Sequence, residues 1–364
     1  MSVENILEAL STVQEPDLGK DLVTLNMVSD LLSEGNQVSF TVTLTTPACP
    51  LKDRIKNDCI RAIHAMNPEA IVQVNFTSRI NSNRKDTAAV LPNVKNIIAV
   101  VSGKGGVGKS TVASNFALSL AADGARVGLM DADIYGPSMP IMFGVRGQRP
   151  LMKNVNGKGM ILPLEKYGIR IMSIGLLIDE KDAVVWRGPM VSSAIKQFIS
   201  EVFWDELDYL VVDMPPGTGD IHLTLMQSVP VTGVIVVSTP QDVALADAKK
   251  AIAMFAQAQL KAPIIGLVEN MSYFIPEESP QHKYYIFGRE GGKKLAEEYD
   301  IPFLGQIPLI QRIREGGDEG KPVVLGNDEA ARRAFSEFAG NAARSIAMIN
   351  ANVSPQRRAE VVQG

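Results

Sequence analysis

The most regular short pattern in the first part of the chain is an alternation of apolar and polar residues over 38–44. It predicts a strand with one buried face. Helical spacing of apolar residues at 3–12 and 49–66, and a second strand pattern at 71–76, lie on either side of it. Together these elements predict a small α+β domain over residues 1–80.

A different pattern begins near residue 96, where the apolar runs are continuous rather than alternating. Residues 97–101 are entirely apolar and mostly β-branched, as in a parallel strand that is covered on both faces. Similar runs lie at 126–130, 209–212, 233–238 and 264–268, and helical stretches lie at 111–122, 191–202 and 245–259. This succession predicts an α/β fold, in which a parallel sheet is flanked by helices.

Between the two patterns lies a polar, turn-forming stretch at 81–86. We therefore predict a linker at 81–94 and a second domain at 95–352. The last residues, 353–364, are polar, and we expect them to be disordered.

Composition narrows the class of protein. The chain has 46% hydrophobic and 21% charged residues and a net charge of −4, which argues against a large basic surface for nucleic acid. No apolar stretch approaches the roughly 20 residues that cross a bilayer, and the N-terminus lacks the basic start of a signal peptide. With only two cysteines, we expect a cytoplasmic protein that binds neither nucleic acid nor membrane.

A glycine-rich segment joins the strand at 97–101 to the helix at 111–122. It consists of Gly103, Lys104, Gly105, Gly106, Val107, Gly108, Lys109, Ser110 and Thr111. Its start matches the dinucleotide fingerprint Gly-x-Gly-x-x-Gly, and Asp131 lies roughly where a ribose-binding acid would follow. The whole segment also matches the more restrictive P-loop pattern, Gly-x4-Gly-Lys-Ser.

The chemistry of the segment favours the P-loop. Glycines let backbone N–H groups approach phosphate oxygens closely. Lys109 would place a positive charge on the β and γ phosphates, and the Ser110 hydroxyl would bind Mg²⁺. The dinucleotide interpretation requires neither side chain. We therefore predict a site for ATP and Mg²⁺ rather than for a dinucleotide.

Acidic residues follow two of the predicted strands. Asp213 ends an apolar strand and would hold Mg²⁺, with the turn 215–219 placed to sense the γ-phosphate; alone, Asp213 could also be a helix cap. Asp131 and Asp133 follow another strand. They suit a ligand of the metal's water shell and a group that orients attacking water, although an ordinary polar strand end has the same pattern.

The second lysine of the loop, Lys104, gives the pattern Lys-Gly-Gly-x-Gly-Lys-Ser/Thr. This resembles the deviant Walker A family, which includes MinD, ParA, the nitrogenase iron protein and the Mrp/ApbC carriers. In that family the first lysine reaches the nucleotide of a partner subunit. The resemblance implies that Lys104 acts catalytically, beside Lys109 and Asp133, in an ATP-dependent homodimer.

Further motifs resemble the Mrp/ApbC carriers in particular. They are found at 131–138, 186–190, 213–220, 238–245 and 268–272, and the resemblance covers about residues 94–345. It implies that Asn270 contacts the adenine base, which its amide donor and acceptor suit; a loop-capping asparagine is the alternative. The segment 45–51, which contains Cys49, resembles a small domain of iron–sulfur assembly factors.

The resemblance fails at one point. Many Mrp/ApbC members carry a Cys-x-x-Cys pair shortly after the segment 268–272, which lets a dimer bridge one [4Fe–4S] cluster, but residues 271–282 contain no cysteine here. Cys49 would be a thiolate ligand near a helix start or a buried residue, whereas we expect Cys59 in the core. His282 would replace a ligand or be solvated. Alternatively, the chain binds no cluster itself.

The leading hypothesis is an ATP-hydrolysing iron–sulfur cluster carrier that serves apoproteins. A spatial-organisation ATPase of the MinD/ParA kind is the rival. The predicted helix at 328–350 bears on that choice, because its acidic residues and many alanines suit packing on the core better than membrane binding. A scaffold that binds no nucleotide does not explain the intact loop.

Overall fold

The computed structural model describes residues 1–82, 90–178, 188–257, 260, 262–276, 279 and 281–351. The chain divides into two compact units. The first comprises the described residues of Met1–Asn81 and 346–351, and the second comprises the described residues of Ser82–Ser345. Trp186 and Arg187 of the predicted signature at 186–190, and the tail predicted to be disordered, lie outside the described residues.

The first unit is a small three-stranded sheet with two helices. Its elements are α1 (Val3–Leu10), β1 (Gln14–Glu15), β2 (Lys20–Asp21), β3 (Val28–Glu34), β4 (Gln37–Leu44), α2 (Lys52–Met66) and β5 (Ile71–Ser78). Strand β4 lies in the middle, antiparallel to β3 and parallel to β5. Val38, Phe40 and Val42 of β4 are buried, so the strand predicted from the alternation is confirmed.

Helix α2 packs on this sheet through Ile55, Cys59 and Ile63, which the helical period brings to one face. The predicted helix at 49–66 is wrong at its start, because α2 begins at Lys52. Cys49 precedes Pro50, and the proline ring disfavours the helical conformation in the residue before it. Cys49 therefore lies in the turn that leads into the helix.

The second unit is built on one large sheet. Its strands are β6 (Val94–Val101), β7 (Val127–Asp131), β8 (Met152–Val155), β9 (Lys158–Ile161), β10 (Leu164–Lys166), β11 (Ile169–Ser173), β12 (Leu207–Asp213), β13 (Gly233–Ser238), β14 (Ile264–Glu269) and β15 (Phe303–Gln306). Its helices are α3 (Lys109–Ala122), α4 (Met139–Met142), α5 (Gly188–Ser200), α6 (Asp220–Ser228), α7 (Asp242–Ala256), α8 (Gly291–Glu298), α9 (Gln311–Asp318) and α10 (Glu329–Ala351), of which residues 346–351 belong to the first unit.

The sheet has eight strands in the order β10-β11-β7-β12-β6-β13-β14-β15. Only β10 is antiparallel to its neighbour; the other neighbouring strands are parallel. All residues of β12 and β13 are buried, as expected for strands covered by helices on both faces. The predicted α/β fold with a parallel sheet is confirmed.

The register of the central strands places polar residues in one row at the carboxyl edge. Asp213 of β12 pairs with Asp131 of β7, and Asp131 pairs with Ser173 of β11. The glycine-rich loop leaves β6 beside β12 at the same edge. Parallel strands collect the residues that follow them at this edge, where such folds bind ligands.

The last helix, α10, packs on the helix that follows the glycine-rich loop. The rings of Phe338 in α10 and Phe116 in α3 have centroids 5.1 Å apart, and both side chains are fully buried. The predicted packing of this helix on the core is confirmed. In the described part of the chain, no helix has the length and apolar character needed to cross a membrane.

Candidate functional site

Helix α3 begins at Lys109, directly after Gly108, which adopts a left-handed conformation with φ +82°. No side chain of the described residues caps this helix, so its first N–H groups can receive an anion. A Cβ at Gly103 would overlap the Asp247 carbonyl oxygen, and one at Gly108 would overlap the Asn270 amide. The loop therefore requires glycine at both positions.

The Lys109 ammonium lies among the acidic side chains at the carboxyl edge. Its Nζ is 2.6 Å from Asp213 Oδ1 and 3.9 Å from Asp133 Oδ2, and it is 3.3 Å from Ser110 Oγ. Lys109 and Asp213 are both buried. The structure therefore brings Lys109 and Ser110 of the loop together with two acids, Asp133 and Asp213, that lie farther along the sequence.

The second carboxylate oxygen of Asp213, Oδ2, is buried and has no hydrogen-bond partner among the described residues. Burial raises the pKa of Asp213, and the nearby Lys109 charge offsets only part of this effect. The Ser110 hydroxyl lies next to this pair, with its Oγ 3.3 Å from Lys109 Nζ. Carboxylate and hydroxyl oxygens are hard ligands that suit Mg²⁺, so these residues fit the predicted metal.

Asp131 is fully buried and holds the chain that follows β7. Its Oδ1 accepts the Asp133 N–H at 3.2 Å, and its Oδ2 accepts the Met139 N–H at 3.2 Å and the Ser173 hydroxyl at 2.9 Å. Burial, together with the charge of Asp213, raises the pKa of Asp131 to about 7. Ser173 escaped prediction, because the strand that it ends, β11, was not predicted from the sequence.

Asp133 is less enclosed, with its side chain 15% exposed. Burial raises its pKa, and the Lys109 charge acts in the opposite direction. Because Asp133 lies at the edge of the site, its carboxylate is open to water there.

Asn270 follows β14 on the other side of the loop. It is buried, and its Nδ2 donates to the Val107 carbonyl at 2.8 Å. Beside it lies a cleft of about 350 Å³. Among the residues that line it are Thr111, Met271, Leu309, Ile310 and Ile313. Thr111 and Met271 belong to motifs that the sequence shows, whereas the three residues of the segment at 308–318 escaped prediction because no motif joins that segment to the loop.

The turn 215–219 lies against the glycine-rich loop. The Gly217 N–H donates to the Ser102 carbonyl at 2.9 Å, and the Ser102 hydroxyl donates to the Lys104 carbonyl at 3.0 Å. A Cβ at Gly105 would lie 3.9 Å from Pro216. Movement of one segment therefore affects the other.

The two cysteines and His282 lie in separate environments. Cys59 is fully buried, and burial raises the pKa of its thiol to about 12, so the predicted core position is confirmed. Cys49 is half-buried. His282 is exposed, with its Nδ1 2.9 Å from Ser279 Oγ. Within the described ranges, no group of three or more His, Cys, Asp or Glu side chains could hold a metal ion.

A lysine that lies at the start of an uncapped helix, against a strand-end acid, defines the chain as a P-loop NTPase. Residues 93–343 match the family described as NUBPL iron-transfer P-loop NTPase. Residues 3–76 match the family described as iron-sulfur cluster assembly protein. The chain therefore belongs to the iron-transfer P-loop NTPases.

Relatives of known name agree with this assignment. A protein of Synechocystis sp. named iron-sulfur cluster carrier protein is 46% identical over 96% of this chain and 99% of its own length. One of the same name from Escherichia coli K12 is 43% identical over 88% of this chain and 86% of its own. The predicted family is confirmed, and the chain is an ATP hydrolase of the iron–sulfur cluster carrier family.

Two solved structures support the fold. A nucleotide-binding protein from Archaeoglobus fulgidus in complex with ADP has a TM-score of 0.57 and 37% identity, covering 65% of this chain and 91% of its own. The cell division ATPase MinD from Pyrococcus furiosus has a TM-score of 0.50 and 24% identity, covering 68% of this chain and 97% of its own. The likeness to MinD concerns the fold alone. The names of the Synechocystis and Escherichia coli relatives favour a carrier over a spatial-organisation ATPase.

Proposed function

We propose that this chain hydrolyses ATP between two copies of itself and uses the nucleotide state to deliver iron–sulfur clusters to apoproteins. The observation that carries the proposal is the buried Lys109–Asp213 pair beside the uncapped start of α3. This pair combines a cation for phosphate with an acid for Mg²⁺ at a helix start that favours anions. We place the activity in the cytosol, where thiols stay reduced.

In this proposal Lys109 moves from Asp213 to the β and γ phosphates when ATP binds. Ser110 and Asp213 would hold Mg²⁺, which would supply positive charge for the phosphate oxygens, and Asp131 would be a ligand of its water shell. The backbone of residues 103–111 surrounds the phosphates, and the amide of Asn270 reads the base. Asp133, at the open edge of the site, orients the attacking water.

Lys104 supports the proposed dimer. Its side chain is exposed at the tip of the loop, and no carboxylate of the described residues forms an ion pair with it. Exposed apolar side chains follow other strands at the same edge, namely Tyr135, Leu177, Val243 and Phe274. A surface of this kind suits a second copy of the chain.

The dimer is tested by light scattering with a non-hydrolysable ATP analogue and Mg²⁺. Wild type should change from monomer to dimer, whereas Lys104→Ala should remain monomeric or lose hydrolysis by about 100-fold. Lys56→Ala, which removes an exposed lysine of α2, is the control and should behave as wild type. A Lys104→Ala protein that dimerises and hydrolyses ATP normally would contradict the role of this lysine.

For the cluster, which is cargo, the structure offers one candidate thiol. Cys49 lies half-buried in the turn before α2, whereas Cys59 is fully buried and burial raises the pKa of its thiol to about 12. With two cysteines, a single chain lacks four thiolates for a [4Fe–4S] cluster. We therefore propose that two copies of the chain bind one cluster through their two Cys49 thiolates and further ligands.

Anaerobic reconstitution with iron and sulfide tests this directly. The visible absorption of a cluster should form in wild type and in Cys59→Ala, which is the matched control, and should be lost in Cys49→Ala. No absorption in wild type would leave an ATPase that acts in cluster assembly without binding the cluster. Absorption that survives in Cys49→Ala would exclude this ligand.

A further inference from the structure

The imidazole of His222, in the first turn of α6, lies buried against the turn 215–219, with 1% of the residue exposed. Its Nε2 is 3.1 Å from the Pro215 carbonyl oxygen, and its Nδ1 is 3.3 Å from the Gly219 carbonyl oxygen. The ring of Phe255 in α7 meets it edge-on, with centroids 6.2 Å apart. The ring is therefore fixed between the two ends of the turn.

The hydrogen-bond partners of the two ring nitrogens assign the tautomer of His222. A neutral imidazole has one N–H donor and one acceptor nitrogen, yet both nitrogens face carbonyl oxygens. Burial lowers the pKa of His222, which favours the neutral ring. The Gly219 carbonyl already accepts the His222 backbone N–H at 3.1 Å. The buried Pro215 carbonyl accepts no other donor among the described residues, so the proton belongs on Nε2.

Pro215 links two parts of the site. It lies two residues after Asp213, and the Gly217 N–H that follows it donates to the Ser102 carbonyl at 2.9 Å. The Met214 N–H donates to the Val100 carbonyl at 3.1 Å. Because the backbone on both sides is tied to β6 and the glycine-rich loop, the direction of the Pro215 carbonyl sets the path of the whole turn.

We propose that His222 is a positioning residue for ATP hydrolysis, whose Nε2–H holds the Pro215 carbonyl and thereby fixes the turn that faces the γ-phosphate. The inference rests on the proposed function and on the role at the γ-phosphate that the sequence predicts for the turn 215–219. If His222 only filled the core, the rate of hydrolysis in its variants would depend on the volume of the new side chain. If His222 is a positioning residue, the rate depends on an N–H donor at the position of Nε2. Substitutions can separate the two cases.

Three substitutions of His222 separate the effect of side-chain volume from the effect of the N–H donor. Gln places an amide N–H near the position of the imidazole Nε2, Asn places one near Nδ1, and Leu fills space without a donor. His222→Leu and His222→Asn should each lower kcat about tenfold, because a buried carbonyl loses its donor. His222→Gln should recover most of the rate. KM for ATP should stay within about twofold of wild type in all three, since the loop that binds the phosphates is unchanged.

Phosphate release at saturating ATP and Mg²⁺ gives kcat, and thermal unfolding identifies variants that have lost structure. Equal rates in the Gln and Leu variants, or a loss confined to KM, would overturn the proposal. If the Leu variant does not fold, the Gln and Asn variants still test the proposal. Equal rates in these two variants would contradict the assignment of the donor to Nε2. Lys109→Ala is measured in parallel: hydrolysis that survives it would refute the proposed nucleotide site itself, separately from the role of His222.

Discussion

Strand β12 carries an aspartate near each end, and the two side chains are held in opposite ways. Asp208, at the amino end, accepts the Lys95 ammonium at 2.8 Å and the Arg126 backbone N–H and Nε at 2.9 and 3.2 Å. Burial opposes its ionisation, but these hydrogen bonds outweigh burial and lower its pKa. Asp213, at the carboxyl end, has one oxygen on Lys109 and a buried oxygen with no partner in the described chain.

The difference shows how one strand serves two purposes. A carboxylate surrounded by donors contributes to the stability of the fold. A buried carboxylate with an unused oxygen costs stability, and an acid with a raised pKa in such a place is typical of a functional site. The amino edge of the sheet is therefore built for stability, and the carboxyl edge for chemistry.

The largest expected effect is on kcat, which a substitution at Asp213 should lower and a substitution at Asp208 should not. Asp213→Asn should lower kcat for Mg²⁺-dependent ATP hydrolysis by about 10²–10³-fold, because the neutral amide is a poor metal ligand. Asp208→Asn, the matched control on the same strand, should leave kcat within about twofold, since the change lies outside the site. Steady-state phosphate release measures both. Comparable losses in the two variants would break the comparison.

The second prediction concerns stability, for which we expect the larger effect from Asp208→Asn and the smaller effect from Asp213→Asn. Asp208→Asn should lower the free energy of unfolding by about 2 kcal/mol, because two cations lose a charged partner. Asp213→Asn should cost less, because burial already disfavours the Asp213 carboxylate and the Lys109 ammonium keeps a second carboxylate, that of Asp133, at 3.9 Å. Urea unfolding followed by tryptophan fluorescence reports on the second unit, where Trp204 is buried. A greater loss in Asp213→Asn would contradict this view of the two edges.

The third and smallest effect is the dependence of stability on pH. Asp208 has a lowered pKa, so its contribution is present above its unfolded pKa near 3.8 and is lost as pH falls through the folded value. Asp131 is the reverse: with a folded pKa of about 7, its contribution is complete below 3.8 and is lost as pH rises toward 7. Relative to wild type, Asp131→Asn should therefore gain stability between about pH 4 and 7.

Unfolding curves at several pH values, without nucleotide or Mg²⁺, measure this gain. Asp208→Asn serves as the opposite case, because its deficit should shrink as pH falls below about 4. A pH-independent difference between Asp131→Asn and wild type would show that Asp131 titrates normally in the fold.

Local patterns predicted much of this molecule. The strand at 233–238 was placed without error, because a parallel strand buried on both faces is a continuous apolar run. The glycine-rich loop was recognised because phosphate binding fixes residue types at fixed spacing. Two acidic strand ends were predicted to lie at the site, and the register of β7 with β12 makes Asp131 and Asp213 neighbours.

What escaped prediction depends on contacts between distant segments. The cleft beside Asn270 is lined by residues around Ile310, which no local pattern connects to the loop. The hairpin of β8 and β9 is mostly exposed, so it lacks the periodicity that burial imposes on a strand. A lone histidine such as His222 carries no motif, and only its two carbonyl neighbours distinguish it from an ordinary core residue.

The pairing of Phe116 with Phe338 bears on how the protein is made. The helix that follows the nucleotide loop shares its core with a helix 222 residues later in the chain, since 338 − 116 = 222. At roughly 5–20 residues per second, a ribosome takes about 10–40 s to synthesise that interval. Until α10 has been synthesised, α3 lacks its packing contact with Phe338. We therefore expect a chain that ends before α10 to bind ATP poorly, because α3 lacks the packing of Phe338.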